Sequence, residues 1–423
     1  MLKKYLFFIV ITFFLLGLYG CNNSAMGDKM RLSNIKGATN PNYSALNSNN
    51  LSYDDDYASL LQAFSIKSAQ AIIEPGSKNV VISPISYYMT LAMLSEMTNG
   101  ICFDEILTAL QMPNLPYIRR NSQKLFCDHF NIDGDFHRIF MGNSLWIDDT
   151  FKVNKTLLDE LAKYYYALSF NGDLQSIKTA KKIKEWIDSS TDKLIKSIPE
   201  DYIQDKDVAL VFFNTLLFKA KWQDKFISSN INEFILSNKE KIKANYMLDN
   251  TGSKAYVDDD FISYYKTFSN AYYMSFILPN ESLTPMDLIQ DDILTKIISS
   301  KKSPNQLDAV AHLPKFSIPY EVDLIEPTTK LGIKEIFNPI NQGFEKVNDE
   351  IGVFVSLYKQ KTYLEIDETG IKAAAVTTVA VKSDSIALPK DPLTIVFNRP
   401  FIFIVYDSLD IPLFMGIINN PNT

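Results

Sequence analysis

Few residues in this chain have the types and spacings that covalent chemistry needs. It contains 3 His and 3 Cys in 423 residues. His129, His137 and His312 stand beside no nucleophile in sequence. There is no Gly-x-Ser-x-Gly elbow to expose a serine, no His-x-x-x-His pair for zinc, and no glycine-rich loop to cradle a phosphate. A triad assembled in space from distant residues stays open. Asp258-Asp259-Asp260 concentrates carboxylates but lacks the ligand alternation of a calcium loop, so it reads as a solvated turn. Neither a metal nor a cofactor is expected, and an enzyme is the weakest of the functional readings. Lys+Arg total 42 against Asp+Glu 49, a net charge of -7, which argues against the cationic face that nucleic acid requires.

The elements that would position any site come next. With 46% apolar and 22% charged residues the chain is an ordinary globular one, long enough for one large domain or two to three small ones. Helical spacing follows Asp54-Asp55-Asp56, with Leu60, Leu61, Phe64 and Ile72 on one face and acid at the helix start. Further helices are expected over Ile85–Met97, from Asp104 to Leu110, from Thr156 to Tyr166 and from Lys178 to Leu194. Strand signals come later. Ala209–Phe218 is too apolar for an edge and suits a strand buried on both faces, and Tyr272–Leu278, Val310–Leu313, Thr362–Ile366, Ile395–Phe397 and Phe401–Tyr406 follow. Helices first and strands later, without alternation, predict an α+β fold with large mixed sheets.

The N-terminus reads as a targeting segment. Lys3 and Lys4 precede an apolar run from Tyr5 to Leu18, shorter than the about 20 residues that span a bilayer, and the run ends at Gly20-Cys21. A small residue before Cys resembles a bacterial lipoprotein cleavage site, with Cys21 lipidated; an ordinary secretory signal is the alternative, and Tyr19 is larger than usual there. Residues 1–20 are thus assigned as signal peptide. Residues 21–50, poor in apolar periodicity and rich in Asn and Ser, are read as the lipidated Cys and a flexible tether of about 30 Å. Residues 51–423 form the domain. Export leaves two readings of Cys102 and Cys127, a disulfide or two free thiols.

Several segments then occur in an order that is itself informative: Asn79-Val-Val-Ile-Ser-Pro-Ile-Ser, Asn143-Ser-Leu-Trp-Ile, Phe213-Asn-Thr-Leu-Leu-Phe-Lys-Ala-Lys-Trp, Leu313-Pro-Lys-Phe, Leu331-Gly-Ile-Lys-Glu-Ile-Phe, Asn398-Arg-Pro-Phe-Ile-Phe and Pro412-Leu-Phe-Met-Gly-Ile-Ile-Asn-Asn-Pro. Together, from Leu51 to the C-terminus, they resemble the serpin family. The resemblance implies a serpin fold with three β-sheets, about nine helices and an exposed reactive-centre loop. It also implies an activity: the loop is cut by a serine protease and enters the central sheet as an added strand, trapping the enzyme.

The matching loop runs from Glu368 through Gly370-Ile-Lys-Ala-Ala-Ala-Val to Pro389. Strand alternation puts Ile371, Ala373, Ala375, Thr377, Val379 and Val381 on one face, all uncharged, and Lys372, Ala374, Val376, Thr378, Ala380 and Lys382 on the other. Such a segment suits insertion, with Gly370 as a hinge and Pro389 and Pro392 keeping the far side out of a ladder. Two residues depart from the family's inhibitory pattern: Ile371 stands where Thr or Ser is usual, so its bulk is expected to slow the first step, and Lys372 stands where an acid is usual. Counting along the loop places the reactive bond at Asp384-Ser385, which calls for an Asp-preferring protease with a cationic pocket. The loop is longer than is common, so Lys382, suiting a trypsin-like pocket, and Leu388, suiting a chymotrypsin-like one, remain alternatives.

By the same resemblance Ser83, Ser86 and Asn214 lie beneath the opening sheet, Gln360 replaces a histidine usual there, and Trp222 stands where the loop first enters. The expected protein is a monomeric, exported, membrane-anchored bacterial lipoprotein, periplasmic or on the cell surface, that inhibits a serine protease irreversibly. A non-inhibitory serpin-fold binding protein is the rival, favoured by Ile371 and Lys372 and opposed by Ala373-Ala374-Ala375.

Overall fold

The computed structural model describes residues 41–43, 55–76, 78–130, 132–133, 137–195, 208–269, 271–340, 343–348, 352–371 and 391–423. Eight α-helices lie among them: α1 (Tyr57–Ile72), α2 (Pro84–Met97), α3 (Gly100–Leu110), α4 (Leu115–His129), α5 (Lys155–Tyr164), α6 (Ile177–Thr191), α7 (Asp291–Ser299) and α8 (Ile325–Lys330). The cap chemistry is local. Ser83 accepts from the Ser86 amide with Pro84 in the first turn, Asn114 accepts from Tyr117, Asn154 from Thr156, and Ser176 from Thr179. Helix α2 is buried at every residue but Thr90 and touches strands of both sheets. It is apolar all round because it has no solvent face.

The strands are β1 (Val80–Ile82), β2 (Ile132–Asp133), β3 (His137–Ile147), β4 (Ala167–Asn171), β5 (Leu210–Lys221), β6 (Ile227–Ile235), β7 (Lys241–Val257), β8 (Phe261–Thr267), β9 (Tyr273–Pro279), β10 (Leu307–Pro314), β11 (Phe316–Asp323), β12 (Lys359–Asp367), β13 (Gly370–Ile371), β14 (Leu393–Val396), β15 (Phe401–Tyr406) and β16 (Pro412–Ile418). They form a nine-stranded sheet ordered β1-β16-β15-β9-β8-β7-β10-β14 with β6 on β7, and a seven-stranded sheet ordered β11-β12-β13-β5-β3-β2 with β4 on β3. The second and third of the three expected sheets are joined by hydrogen bonds, because β7 runs unbroken and pairs with β6 at its start and β8 at its end.

The α+β expectation holds, and the differences from it have physical reasons. Helix α4 and strands β6 to β8 were not legible. Helix α4 is polar on most of its surface and buries only a stripe that includes Ile118, Leu125 and Phe126, while β6 is an exposed edge with Phe234 as its one fully buried residue. Strand β5 is not buried on both faces throughout: residues 210–214 are half-buried, since a cleft opens beside them. Part of the expected tether is packed. The ring of Tyr43 stacks on Phe130 at 4.9 Å, its hydroxyl donates to the Tyr166 carbonyl at 3.2 Å, and Pro41 is buried. The aromatic slot at the end of α4 offers apolar contact that the segment's own composition lacks. Cys102 and Cys127 are not joined to each other, so the disulfide reading is set aside.

Candidate functional site

The smaller sheet is incomplete between β5 and β12. On one side β5 pairs with β3 along its length, from Leu210 to Ala220. On the other it meets only the two residues of β13, among the described residues: Gly370 pairs with Lys221 and Ile371 with Ala220. Strand β13 also pairs with β12, Gly370 with Asp367 and Ile371 with Ile366. Beyond Ile371 the two strands diverge around a cleft of about 520 Å³, lined by Phe212 to Phe218 of β5, by residues 352–363 leading into and along β12, and by the start of α2. Strand β13 is antiparallel to both neighbours, so β5 and β12 are parallel to each other across a gap one strand wide.

The hinge that holds β13 is built from its neighbours' hydrogen bonds. The Trp222 indole is 2% exposed, stacks on Phe268 at 4.4 Å and donates through Nε1 to the Asp367 carbonyl at 2.9 Å. Its backbone N–H donates to Thr369 O, and that of Phe226 to Glu368 O, each at 3.0 Å. Asp367 Oδ1 accepts from the Thr369 amide at 2.8 Å and its hydroxyl at 2.6 Å, closing the turn. Lys315 pairs with Glu368. Burial opposes ionisation of Glu368, but that ion pair and nearby hydrogen bonds outweigh it and hold its carboxyl below the usual range. Gly370 has φ +149°, and a Cβ there would run into the Ala220 carbonyl and the Lys221 Cα. Only glycine permits this approach. Its role here is close contact as much as hinge freedom.

Of the residues matched to the family, Ser83, Ser86 and Gln360 come together at the cleft wall. Gln360 accepts from the Ser83 amide and donates to its carbonyl, both at 3.0 Å, and the Ser83 hydroxyl donates to Ser86 Oγ at 3.0 Å. Asn214 lies across the cleft on β5. It donates to Asn143 Oδ1 at 2.6 Å, while its own Oδ1 is buried without a partner. Trp222 is separate from this group, at the hinge. Ile371 is 5% exposed and already seated, so the expectation that its bulk delays entry gives way to a first pairing made before any cut. Lys372, Ala373, Ala374, Ala375, Lys382, Asp384, Ser385 and Leu388, with Cys21, lie outside the described residues. Sequence reasoning missed Asn143 as the partner of Asn214, and it missed Lys315, although the Leu313-Pro-Lys-Phe motif contains it.

Asp258 is bound by Lys296 at 2.5 Å, and no group of three or more potential metal ligands occurs among the described residues. His129 is fully buried between the Leu125 carbonyl and Asp407. No helix among the described residues is long and apolar enough to cross a membrane.

The smaller sheet thus holds a two-residue strand between β5 and β12, which among the described residues do not pair with each other. A family model described as serpin (serine protease inhibitor) matches residues 59–421. The chain belongs to the serpin family. Alpha-1-antichymotrypsin of Pongo abelii is 28% identical over 369 residues, covering 83% of this chain and 85% of that protein. Plasminogen activator inhibitor 1 of Bos taurus is 26% identical over 384 residues, covering 86% and 92%. Among solved structures, the thermophilic serpin tengpin in its native state superposes with a TM-score of 0.78 at 25% identity, covering 87% of this chain and 95% of that one. Human thyroxine-binding globulin shares the fold at 22% identity and a TM-score of 0.74, covering 87% and 99%.

Proposed function

We propose that this chain is a lipid-anchored, exported bacterial serpin that inhibits a serine protease irreversibly as a suicide substrate. The observation that carries the reading is β13, docked between two strands that are otherwise unpaired with each other. Continuing its register gives each loop residue two neighbours. Ala373, Ala375, Thr377, Val379 and Val381 would fall on the side of Ile371, the buried side on which Gln360, Thr362, Leu364 and Ile366 also lie. The uncharged face would enter the core, and both lysines would stay outside, avoiding the cost of a buried charge. Thr377 would lie between Gln360 and Asn214, whose Oδ1 needs a donor. Lys372 would lie between Glu365 and Lys219, so the residue that departs from the family's acid would gain an acidic neighbour on β12.

The reactive bond in this reading is Asp384-Ser385. The protease serine attacks the Asp384 carbonyl carbon, the Ser385 amine leaves, and the acyl-enzyme is carried off as the loop inserts. Lys382 and Leu388 remain alternative reactive residues. Cys21 carries the lipid anchor after removal of residues 1–20, and the segment after it holds the domain away from the membrane. The described part of the chain is treated as a monomer, with no cofactor.

The test is a gel. Protein from residue 41 onward is incubated with Asp-specific, trypsin-like, chymotrypsin-like and elastase-like proteases, and SDS-resistant complexes are sought and their cut sites mapped by mass spectrometry. A complex cut after Asp384 supports the trap and its reactive bond. One cut elsewhere keeps the trap and moves the bond. Clean cleavage by every enzyme, with no gain in heat stability, would transfer support to a non-inhibitory binding protein, the reading that Ile371 and Lys372 favour.

A further inference from the structure

Away from the cleft, three helices meet at a charge cluster that the trap does not use. Glu96 lies on α2 with its side chain 2% exposed, Arg119 on α4, and Glu160 on α5. The Arg119 guanidinium donates through Nε to Glu96 Oε2 at 2.9 Å and through Nη2 to Glu96 Oε1 at 2.5 Å. The same Nη2 reaches Glu160 Oε2. The Tyr165 hydroxyl, at the end of α5, donates to Glu96 Oε2 at 3.1 Å. One guanidinium thus serves two carboxylates, and a single positive charge cannot neutralise both.

We propose that Glu96, Arg119 and Glu160 form a proton-dependent latch that fastens α5 to α2 and α4, and with α5 the rim of the cleft. The two acids are unequal. Burial opposes the charge on Glu96, yet the bonds from Arg119 and Tyr165 win and hold its carboxyl below the usual range. Glu160 is pushed up to about 7, first by its hydrogen bond to Glu96, then by burial and by repulsion from the Glu96 charge. When protonated it donates to Glu96; when ionised it repels it. The other groups facing the cluster are Lys346, Tyr164, Lys163 and Tyr88. Lys346, from residues 343–348, is lowered by burial against the pull of both acids. The Tyr164 ring lies 4.3 Å from the Arg119 guanidinium and 4.6 Å from the Lys163 ammonium. Tyr88 of α2 acts on Tyr165.

The latch reaches the cleft through the chain. Asp148, Thr150 and Phe151, in the connection leading to α5, line the cleft, as does Phe344. The two segments are tied where the Asn154 amide donates to the Val347 carbonyl at 2.9 Å. These residues border the gap, so the hold on α5 bears on one wall of the cleft. The docked Glu160 binds its proton more tightly than the ordinary 4.5 of an exposed carboxyl. Docking is therefore strongest below that value and weakens as pH rises through about 7. The consequence for loop insertion rests on the proposed trap; the latch itself does not.

Hydrogen–deuterium exchange on the intact protein at about pH 5.5 and about pH 8, corrected for intrinsic amide rates, reads the latch directly. Opening of α5 should rise roughly tenfold between them, with β15 and β16 unchanged. In Glu160→Gln, which keeps a donor that does not titrate, the dependence should vanish. Equal protection of α5 at both pH values would overturn the proposal, and so would an undiminished dependence in E160Q. If the trap also holds, complex formation quickens with pH in the wild type and not in E160Q. If the exchange result holds and no complex forms at either pH, the latch stands and the trap fails.

Discussion

In the larger sheet β9, β15 and β16 are each paired on both sides, and every one of their residues is buried. In the smaller sheet β5 is paired along its length toward β3 but, among the described residues, meets only two on its other flank, and its first five residues are half-buried. The two sheets share α2 as common packing, so the contrast is not one of a good core against a poor one. It lies in the ladder. Those three strands of one sheet have ladder partners on both flanks, and the other sheet has, among the described residues, an unfilled strand position with polar residues around it. A fold can hold such a vacancy when the rest of the molecule is stable enough to keep the gap's walls apart.

Cleavage of the loop is the strongest test of that contrast. If the vacancy fills with about ten residues, at about 0.5–1.5 kcal/mol per net hydrogen bond, the gain is on the order of 10 kcal/mol. Calorimetry should then show the cut protein melting about 10–15 °C higher. An unchanged melting temperature would mean the gap is not a strand site. Paired truncations sharpen the contrast at a smaller scale. Phe276→Ala, in β9 at 0% exposure, should cost about 3–5 kcal/mol by denaturant unfolding. Phe212→Ala, half-buried at the cleft, should cost about 1 kcal/mol. Equal costs would show that the cleft wall is as tightly packed as the closed sheet. Gly370→Val is the finest probe. Its branched Cβ has no room against Ala220 and Lys221, so β13 should leave its seat at a cost of roughly 1–3 kcal/mol. Amide exchange should rise at Ile371 while the larger sheet keeps its protection, and retention of protection at Ile371 would break the assignment of β13 as the hinge.

Much of this was legible in the chain. The apolar run of β5 and the helical spacing of Leu60, Leu61, Phe64 and Ile72 in α1 are local patterns, and periodicity reads them without a partner. The edge strand β6 and the long strand β7 were not, because their exposed positions carry no alternating apolar signal, and α4 was not, because its buried stripe is narrow. At the site, Ser83, Ser86, Asn214, Gln360 and Trp222 were singled out by resemblance, with Trp222 set apart from the other four, yet the hydrogen bonds of Gln360 to Ser83 and of Trp222 to Asp367 were not legible. The roles of Lys315 and Asn143 lay with partners distant in sequence, as did that of Glu160, whose proton affinity depends on Glu96, 64 positions earlier in the numbering.

By itself, then, the sequence determined an α+β chain and, by alternation, which face of the segment from Ile371 to Lys382 would carry charge. Tertiary structure alone decided that β5 and β12 do not pair with each other among the described residues, that Ile371 pairs with both, and that Tyr43 belongs to the body. The physical reason is that alternation and capping are short-range properties of neighbouring residues, whereas register, vacancy and proton affinity are set by groups that only folding brings within hydrogen-bond reach.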